Sequence, residues 1–296
     1  MAAGANQDPE SLKADPKAPG SPSPAADAGG EDVLHDVVRV ASRALGDRLI
    51  AVYALGSLAH GGFSPLVSDV DVAVVLADPA QQSDPESILG IADEVRGIGS
   101  ELHSRVSIFW GTLQTLRGGA AEGRFPPLDR LCLFEHGRLL LGSDIRGDLL
   151  PPSQTELLLA GAQFALDLLA ETVIAYAADP ADLLAKGVRW TTKIVLFPVR
   201  FLFTADTGRE GTNDAAVQHY STHHRGPAAE LVSAAFSWRT KPPANDHAVA
   251  LLKNGFVPLY RNYLDDHIQR LQSINEPELA DRFSEWRSRL LAACGD

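Results

Sequence analysis

Residues 52–76 constrain the fold more than any other part of this chain. They read Val-Tyr-Ala-Leu-Gly-Ser-Leu-Ala-His-Gly-Gly-Phe-Ser-Pro-Leu-Val-Ser-Asp-Val-Asp-Val-Ala-Val-Val-Leu. The apolar run from Leu49 to Leu55 is typical of a strand, and Gly56 followed by Ser57 ends it. A loop rich in glycine then leads to a second apolar run, Asp69 to Leu76. The stretch therefore predicts two strands joined through a tight turn, a short helix and a loop.

The residues at the two ends of this loop suit phosphate and metal binding. Gly56 lets the backbone turn sharply and approach a ligand, and Ser57 is predicted to cap the short helix whose free N–H groups would face an anion. Alternation along the second strand places Asp69 and Asp71 on one face, about 7 Å apart. Mg²⁺ prefers oxygen ligands and bridges carboxylates to a triphosphate. The stretch thus predicts a phosphate seat beside a metal site.

The spacing resembles the signature of a known superfamily. Gly-Ser, eleven further residues and then Asp-x-Asp opening an apolar strand resembles the nucleotidyltransferases of the DNA polymerase beta superfamily. The longer match is most similar to the aminoglycoside adenylyltransferases that modify streptomycin and spectinomycin. It comprises Gly56-Ser57, Gly61-Gly62-Phe63-Ser64-Pro65 and Ser68-Asp69-Val70-Asp71. The resemblance covers about residues 31–240 and implies ATP, Mg²⁺ held by Asp69 and Asp71, and a hydroxyl-bearing small-molecule acceptor such as a cationic aminoglycoside.

The net charge limits the kinds of partner that are expected, and the cysteine content limits the cysteine chemistry. The formal net charge is −12 and no basic cluster is visible, which argues against nucleic acid as a partner and is compatible with a cationic acceptor. Cys132 and Cys294 are the two cysteines and lie far apart, so they form neither a disulfide framework nor a metal-binding pair. There is no basic-then-apolar leader and no uncharged apolar run long enough to span a membrane. We expect a soluble, cytoplasmic protein without a membrane partner.

The pattern of the whole chain predicts an α+β protein. Residues 1–30 are rich in Pro, Ala, Ser and Gly and are predicted to be a disordered tail. Residues 31–150 predict a small mixed sheet backed by helices, which is the nucleotidyltransferase catalytic domain that the resemblance implies. Pro151-Pro152 reads as a linker, and residues 151–296 predict an all-α bundle of five or six helices that would bind substrate and nucleotide.

The predicted third strand, Leu102 to Trp110, leaves one question open. Members of the superfamily usually carry a third carboxylate here, which completes the metal site or acts as the base, and the resemblance aligns Arg105 with it. One alternative is that Arg105 pairs with Asp69 and Asp71 in place of a metal, because its fork suits carboxylates. The other is that the strand begins earlier and that Glu101, on the same side as Arg105, supplies the catalytic carboxylate from its start. His103 shares that side and is a further candidate base.

The second half of the chain also resembles the helical domain of those adenylyltransferases. The matching segments are Ile194 to Thr204, Thr207-Gly208 and Thr212 to Ala216. The resemblance predicts that Lys193 and Arg200, with Arg189, bind the triphosphate from across a cleft. Two positions depart from the family: Asn213 stands in place of a lysine, and Trp190 in place of an acidic residue. Both departures argue against an aminoglycoside acceptor.

Two functions therefore compete. The first is Mg²⁺-dependent transfer of AMP from ATP to a hydroxyl of a small molecule. The second is a catalytically impaired nucleotidyltransferase fold that acts as a nucleotide-binding or partner-binding regulator, motivated by Arg105, Asn213 and Trp190. The location of the third carboxylate would decide between them.

Overall fold

The computed structural model describes residues 24–118 and 123–293. The described residues up to 142 form six α-helices and four strands: α1 (Pro24–Leu45), β1 (Leu49–Ala54), α2 (Gly56–His60), β2 (Val70–Leu76), α3 (Asp84–Arg96), α4 (Glu101–Ser104), β3 (Val106–Thr112), α5 (Leu113–Leu116), α6 (Pro127–His136) and β4 (Arg138–Gly142). Helices then follow: α7 (Gln154–Leu168), α8 (Ala170–Ala178), α9 (Pro180–Ala185), α10 (Val188–Thr207), α11 (Asn213–His223), α12 (Pro227–Trp238), α13 (Asn245–Ser273) and α14 (Pro277–Ala292). The predicted α+β class, a small sheet followed by a helical bundle, is confirmed.

The sheet is mixed and has the strand order β3-β2-β1-β4. Strand β1 is antiparallel to β2 and to β4, whereas β2 and β3 are parallel, with Asp71 opposite Ser107. Val70, Val72 and Val74 pack into the core formed with α1 and α3. The opposite face of β2 packs toward α6. The predicted alternation is confirmed, and it leaves Asp71 on the face that α6 covers.

The helical half has its own core, which runs from Leu158 to Leu290. Helices α7 and α8 follow each other directly and meet at an angle of 53°. Pro198 lies inside α10, and the helix continues through it to Thr207. Helix α13 approaches α12 closely at Gly255, where a Cβ atom would lie 2.4 Å from the Pro227 carbonyl oxygen.

The start of the first helix differs from the prediction. Helix α1 begins at Pro24, so residues 24–30 are helical and do not belong to a tail. Gly30 lies on this early turn, and a Cβ there would lie 2.8 Å from a methyl carbon of Leu58. The glycine that suggested disorder in the sequence thus permits close packing of α1 on α2. The rest of the predicted tail, residues 1–23, lies outside the described residues.

None of the helices described is by itself long and apolar enough to cross a membrane. The bent pair α7 and α8 reaches the necessary length and apolar composition only when its two helices are counted together.

Candidate active site

A cavity of about 550 Å³ lies between the sheet and the helical half. The sheet side contributes the turn after β1, the start of β2, β3 and the first turns of α6, and the helical side contributes mainly α7 and α10. Of the residues predicted from the sequence, six line this cavity: Gly56, Ser57, Asp69, Asp71, Lys193 and Arg200. Four other candidates that the sequence analysis named do not line it: Glu101, His103, Arg105 and Arg189.

The turn at Gly56 fixes one wall of the cavity. Gly56 has a φ of +56°, which side chains other than glycine rarely adopt. The Leu55 N–H donates to the Asp71 carbonyl oxygen at 2.8 Å, and a Cβ added to Gly56 would lie 3.0 Å from Asp71 Oδ2. The Gly56 N–H donates to Cys132 Sγ at 3.2 Å. The turn therefore abuts the Asp71 carboxylate directly, and a bulkier residue at position 56 would crowd it.

Ser57 lies in the first turn of α2 but does not cap it. The cap position is Leu55, which makes no side-chain capping bond, and Ser57 is the second residue of the helix. Its predicted capping role is not observed, because α2 already begins at Gly56, one residue before Ser57. Ser57 nonetheless lines the cavity and is half-buried.

Asp69 forms ion pairs with two cations from the helical half. Arg189 pairs with its Oδ1 atom and Lys193 with its Oδ2 atom, and both cations come from the first turns of α10. Burial would raise the pKa of Asp69, but the charges of Lys193 and Arg189 outweigh it and hold that pKa below its usual value. Asp69 is therefore ionised at neutral pH and ties α10 to the sheet.

Asp71 has the opposite electrostatic balance. Burial and then repulsion from Asp69 raise the pKa of Asp71 to about 6, against the opposing charges of Lys193 and Arg200. A carboxylate that is desolvated and near a second carboxylate gains from a nearby cation. A single cation next to Asp71 would therefore stabilise its ionised form.

The cavity offers few protein ligands for Mg²⁺. Among the described residues, no group of three or more His, Cys, Asp or Glu side chains is arranged to hold a metal ion. Mg²⁺ commonly uses one or two carboxylates and completes its shell with water and substrate phosphates, so Asp69 and Asp71 fit such a site. Arg189 and Lys193 occupy both oxygens of Asp69, and a metal ion would have to exchange with them.

The two sequence-based alternatives for the third strand are not observed. Residues 101–104 form the short helix α4 instead of a strand, because Ser100 caps it by accepting from the His103 N–H. Glu101 is 80% exposed at its side chain and pairs with Arg105, which reaches the Pro65 and Ser68 carbonyl oxygens. Arg105 therefore stabilises the loop before Asp69 and has no recorded bond to either aspartate.

His103 is also directed elsewhere. Its ring nitrogens contact Ser100 Oγ at 2.5 Å and Asp36 Oδ2 at 3.1 Å, so it links α4 to α1. Strand β3 instead presents Ser107 opposite Asp71. The predicted candidates 101, 103 and 105 thus all serve structural contacts at the edge of the sheet.

Two carboxylates that the sequence analysis missed line the same cavity. Asp129 lies in the first turn of α6, where burial and then Asp71 raise its pKa to about 7, opposed by Arg200 and Arg124. Glu210, in the segment between α10 and α11, is 8% exposed, and burial raises its pKa as well. In the sequence Asp129 resembles an ordinary acid at a helix start, which favourable dipole interactions explain. Only the packing of α6 against β2 brings it to Asp71.

The remaining predicted residues divide between the cavity and the bundle. Arg200 lines the cavity and donates from Nε to the Gly211 carbonyl oxygen at 2.6 Å. Asn213 also lines it, at the start of α11. Trp190 packs against the helical core and is not among the lining residues. Of the three cations predicted to bind phosphate, Arg200 and Lys193 thus line the cavity and Arg189 does not.

Comparisons with known proteins define the fold. No family model and no curated protein sequence matches the chain. Its structure is similar to that of the spectinomycin adenyltransferase AAD(9) from Enterococcus faecialis, solved with ATP and spectinomycin. The TM-score is 0.55 at 15% sequence identity, and the match covers 88% of this chain and 98% of the other. The protein therefore has a nucleotidyltransferase fold of the aminoglycoside adenylyltransferase type, as the sequence resemblance implied.

Proposed function

We propose that this protein is a Mg²⁺-dependent adenylyltransferase that moves AMP from ATP to a hydroxyl of a small molecule. The observation that supports this most is how close the Asp71 carboxylate lies to the Gly56 turn. A Cβ atom added to Gly56 would lie 3.0 Å from Asp71 Oδ2. A nucleotidyltransferase needs a backbone that approaches phosphate closely beside carboxylates that hold a cation. The similarity to a structure solved with ATP is consistent with this choice of nucleotide.

Each side chain of the cavity has a role in this proposal. Asp69 and Asp71 would hold Mg²⁺, which when bound supplies positive charge to the triphosphate. Lys193 and Arg200 would bind phosphate oxygens, with Arg189 assisting once it leaves Asp69.

Asp129 would act as the base in place of the carboxylate absent from β3. The acceptor oxygen bonds to the α-phosphorus, the bond from that phosphorus to the bridging oxygen breaks, and pyrophosphate leaves with the electron pair. The hydroxyl proton passes to Asp129, whose pKa of about 7 suits proton transfer near neutral pH.

The experiment is incubation with ATP, Mg²⁺ and a panel of hydroxyl compounds, followed by mass spectrometry for products heavier by one AMP unit. We expect such a product with the unmodified protein and its loss with Asp71→Asn. Asp93→Asn is the matched control, because Asp93 is an exposed carboxylate on α3 that pairs with Arg96 and does not line the cavity. Absence of both product and pyrophosphate with every acceptor would contradict the proposal.

One observation favours the regulator as a second candidate. Both oxygens of Asp69 already carry protein cations, which could substitute permanently for a metal. The cations are Arg189 and Lys193, whereas the sequence pointed to Arg105. Calorimetric titration separates the two functions: ATP binding that requires Mg²⁺ supports the enzyme, and ATP binding of equal strength with a chelator supports the regulator.

A further inference from the structure

The helical wall of the cavity is aromatic. Phe164 on α7 and Phe197 and Phe201 on α10 contact one another, with ring centroids 5.5 to 6.0 Å apart. Phe164 and Phe197 remain partly exposed while the bundle core lies behind them. Aromatic side chains that line a concave site and are not fully covered by protein provide an apolar surface for a ligand.

This apolar surface extends to the reacting groups. On the sheet side, Phe109 and Leu128 line the cavity, and Phe109 pairs with Ala73, two residues along β2 from Asp71. Leu128 immediately precedes Asp129. A hydroxyl that reaches Asp71 and Asp129 must therefore belong to a molecule whose neighbouring atoms contact apolar side chains.

The charges of the cavity do not favour a polycation. Four carboxylates line it, Asp69, Asp71, Asp129 and Glu210, and so do four cations, Arg124, Lys193, Arg200 and Arg239. Asp69 is already paired with Lys193 and Arg189. The carboxylates that line the cavity thus do not outnumber its cations. A ligand with several ammonium groups would meet these four cations with no excess of negative charge to compensate.

We propose that the acceptor is an uncharged or weakly charged hydroxyl compound with an aromatic or aliphatic face, which packs on Phe164 and Phe197. The proposal rests on the proposed function and names its substrate class. It separates this protein from enzymes of the same fold that act on amino sugars, and it gives a role to the aromatic wall that phosphate chemistry does not use.

Ligand-observed NMR tests the proposal with two sets of probes. The first set is neutral aryl alcohols such as 2-phenylethanol and 3-phenylpropanol, and the second is streptomycin and spectinomycin. Each is measured with and without Mg²⁺ and a non-hydrolysable ATP analogue. We expect saturation transfer to the aryl alcohols only, and at least a fivefold loss of their affinity in Phe164→Ala and in Phe197→Leu.

The matched control is Phe203→Ala. Phe203 lies on the same helix as Phe197 and packs against the same core, but it contacts His219 and does not line the cavity. We expect its aryl alcohol affinity to be unchanged. Tight binding of the amino sugars, or aryl alcohol binding that is indifferent to Phe164 and Phe197, would overturn the proposal.

Calorimetry with ATP and Mg²⁺ separates the remaining outcomes. If Phe164→Ala weakens ATP binding instead of aryl alcohol binding, the aromatic wall holds adenine and the proposal is wrong. If the unmodified protein fails to bind ATP, the proposed function fails, and the measurements without nucleotide still decide whether the wall accepts neutral aryl alcohols.

Discussion

Replacement of Gly56 by alanine tests the contact on which the site depends. Gly56 and Gly46 both have a positive φ, of +56° and +50°. An L side chain in this region costs about 1–2 kcal/mol, so both Gly56→Ala and Gly46→Ala should lose about that much stability. At Gly46 the added carbon meets nothing within 4 Å, whereas at Gly56 it lies 3.0 Å from Asp71 Oδ2. Crowding of this kind adds about 1–3 kcal/mol.

The assay is urea denaturation of both variants together with calorimetric titration of ATP and Mg²⁺. We expect Gly56→Ala to be less stable than Gly46→Ala by about 1 kcal/mol or more. We also expect it to bind ATP at least about tenfold more weakly, which is about 1.4 kcal/mol. Gly46→Ala should bind ATP normally, because position 46 lies at the far end of β1. Equal stabilities and an unchanged ATP affinity for Gly56→Ala would refute the reasoning.

Three further perturbations follow from the same structure. The pKa of Asp129 is raised to about 7 in the folded protein, so between about pH 4 and pH 7 the folded state holds a proton that the unfolded chain has lost. The contribution of Asp129 to the stability of the protein therefore falls as the pH rises through this range. Asp129→Asn should thus be more stable than the unmodified protein at pH 8, by on the order of 2 kcal/mol, with no gain at pH 4 in urea denaturation; a gain independent of pH would contradict this. Lys193→Met should raise the affinity of the nucleotide-free protein for Mn²⁺, measured by electron paramagnetic resonance, because it frees one oxygen of Asp69, and an unchanged affinity would show that the ion pair does not compete with metal. Gly255→Ala should cost about 2–4 kcal/mol in thermal or urea unfolding, since its Cβ would overlap the neighbouring helix, whereas Gly90→Ala, which meets nothing within 4 Å, should stabilise α3 by about 0.5–1 kcal/mol.

The structure could be predicted from the sequence where the candidate site residues lie in one short segment. The turn at Gly56 and the strand after Asp69 were predictable, because glycine freedom and alternating valines act over a few residues. The start of helix α3 is also marked locally, by the acids Asp84 and Glu86 and the proline between them. These features depend on neighbours in the sequence and need no knowledge of the tertiary fold.

The parts that could not be predicted depend on contacts between distant segments. Glu101 was assigned to a strand by parity, but the local cap from Ser100 forms a helix there and β3 begins only at Val106. Asp129 reaches Asp71 through the packing of α6, which no periodicity encodes. Lys193 was predicted to bind phosphate, and its pairing with Asp69 joins residues 124 positions apart in the chain.

The loop that separates the two halves of the motif is attached to the helical half at Arg239. The Arg239 guanidinium donates to the Gly62 carbonyl oxygen at 2.6 Å, and Ser64 Oγ donates to the Arg239 carbonyl oxygen at 2.5 Å. A fragment ending near residue 150 would keep every residue of the motif yet lose these anchors and the partners of Asp69. Grafting the motif into another scaffold would require copying the end of α12 along with it. The distance between the glycine turn and the aspartates depends on contacts with Arg239, which lies outside the motif.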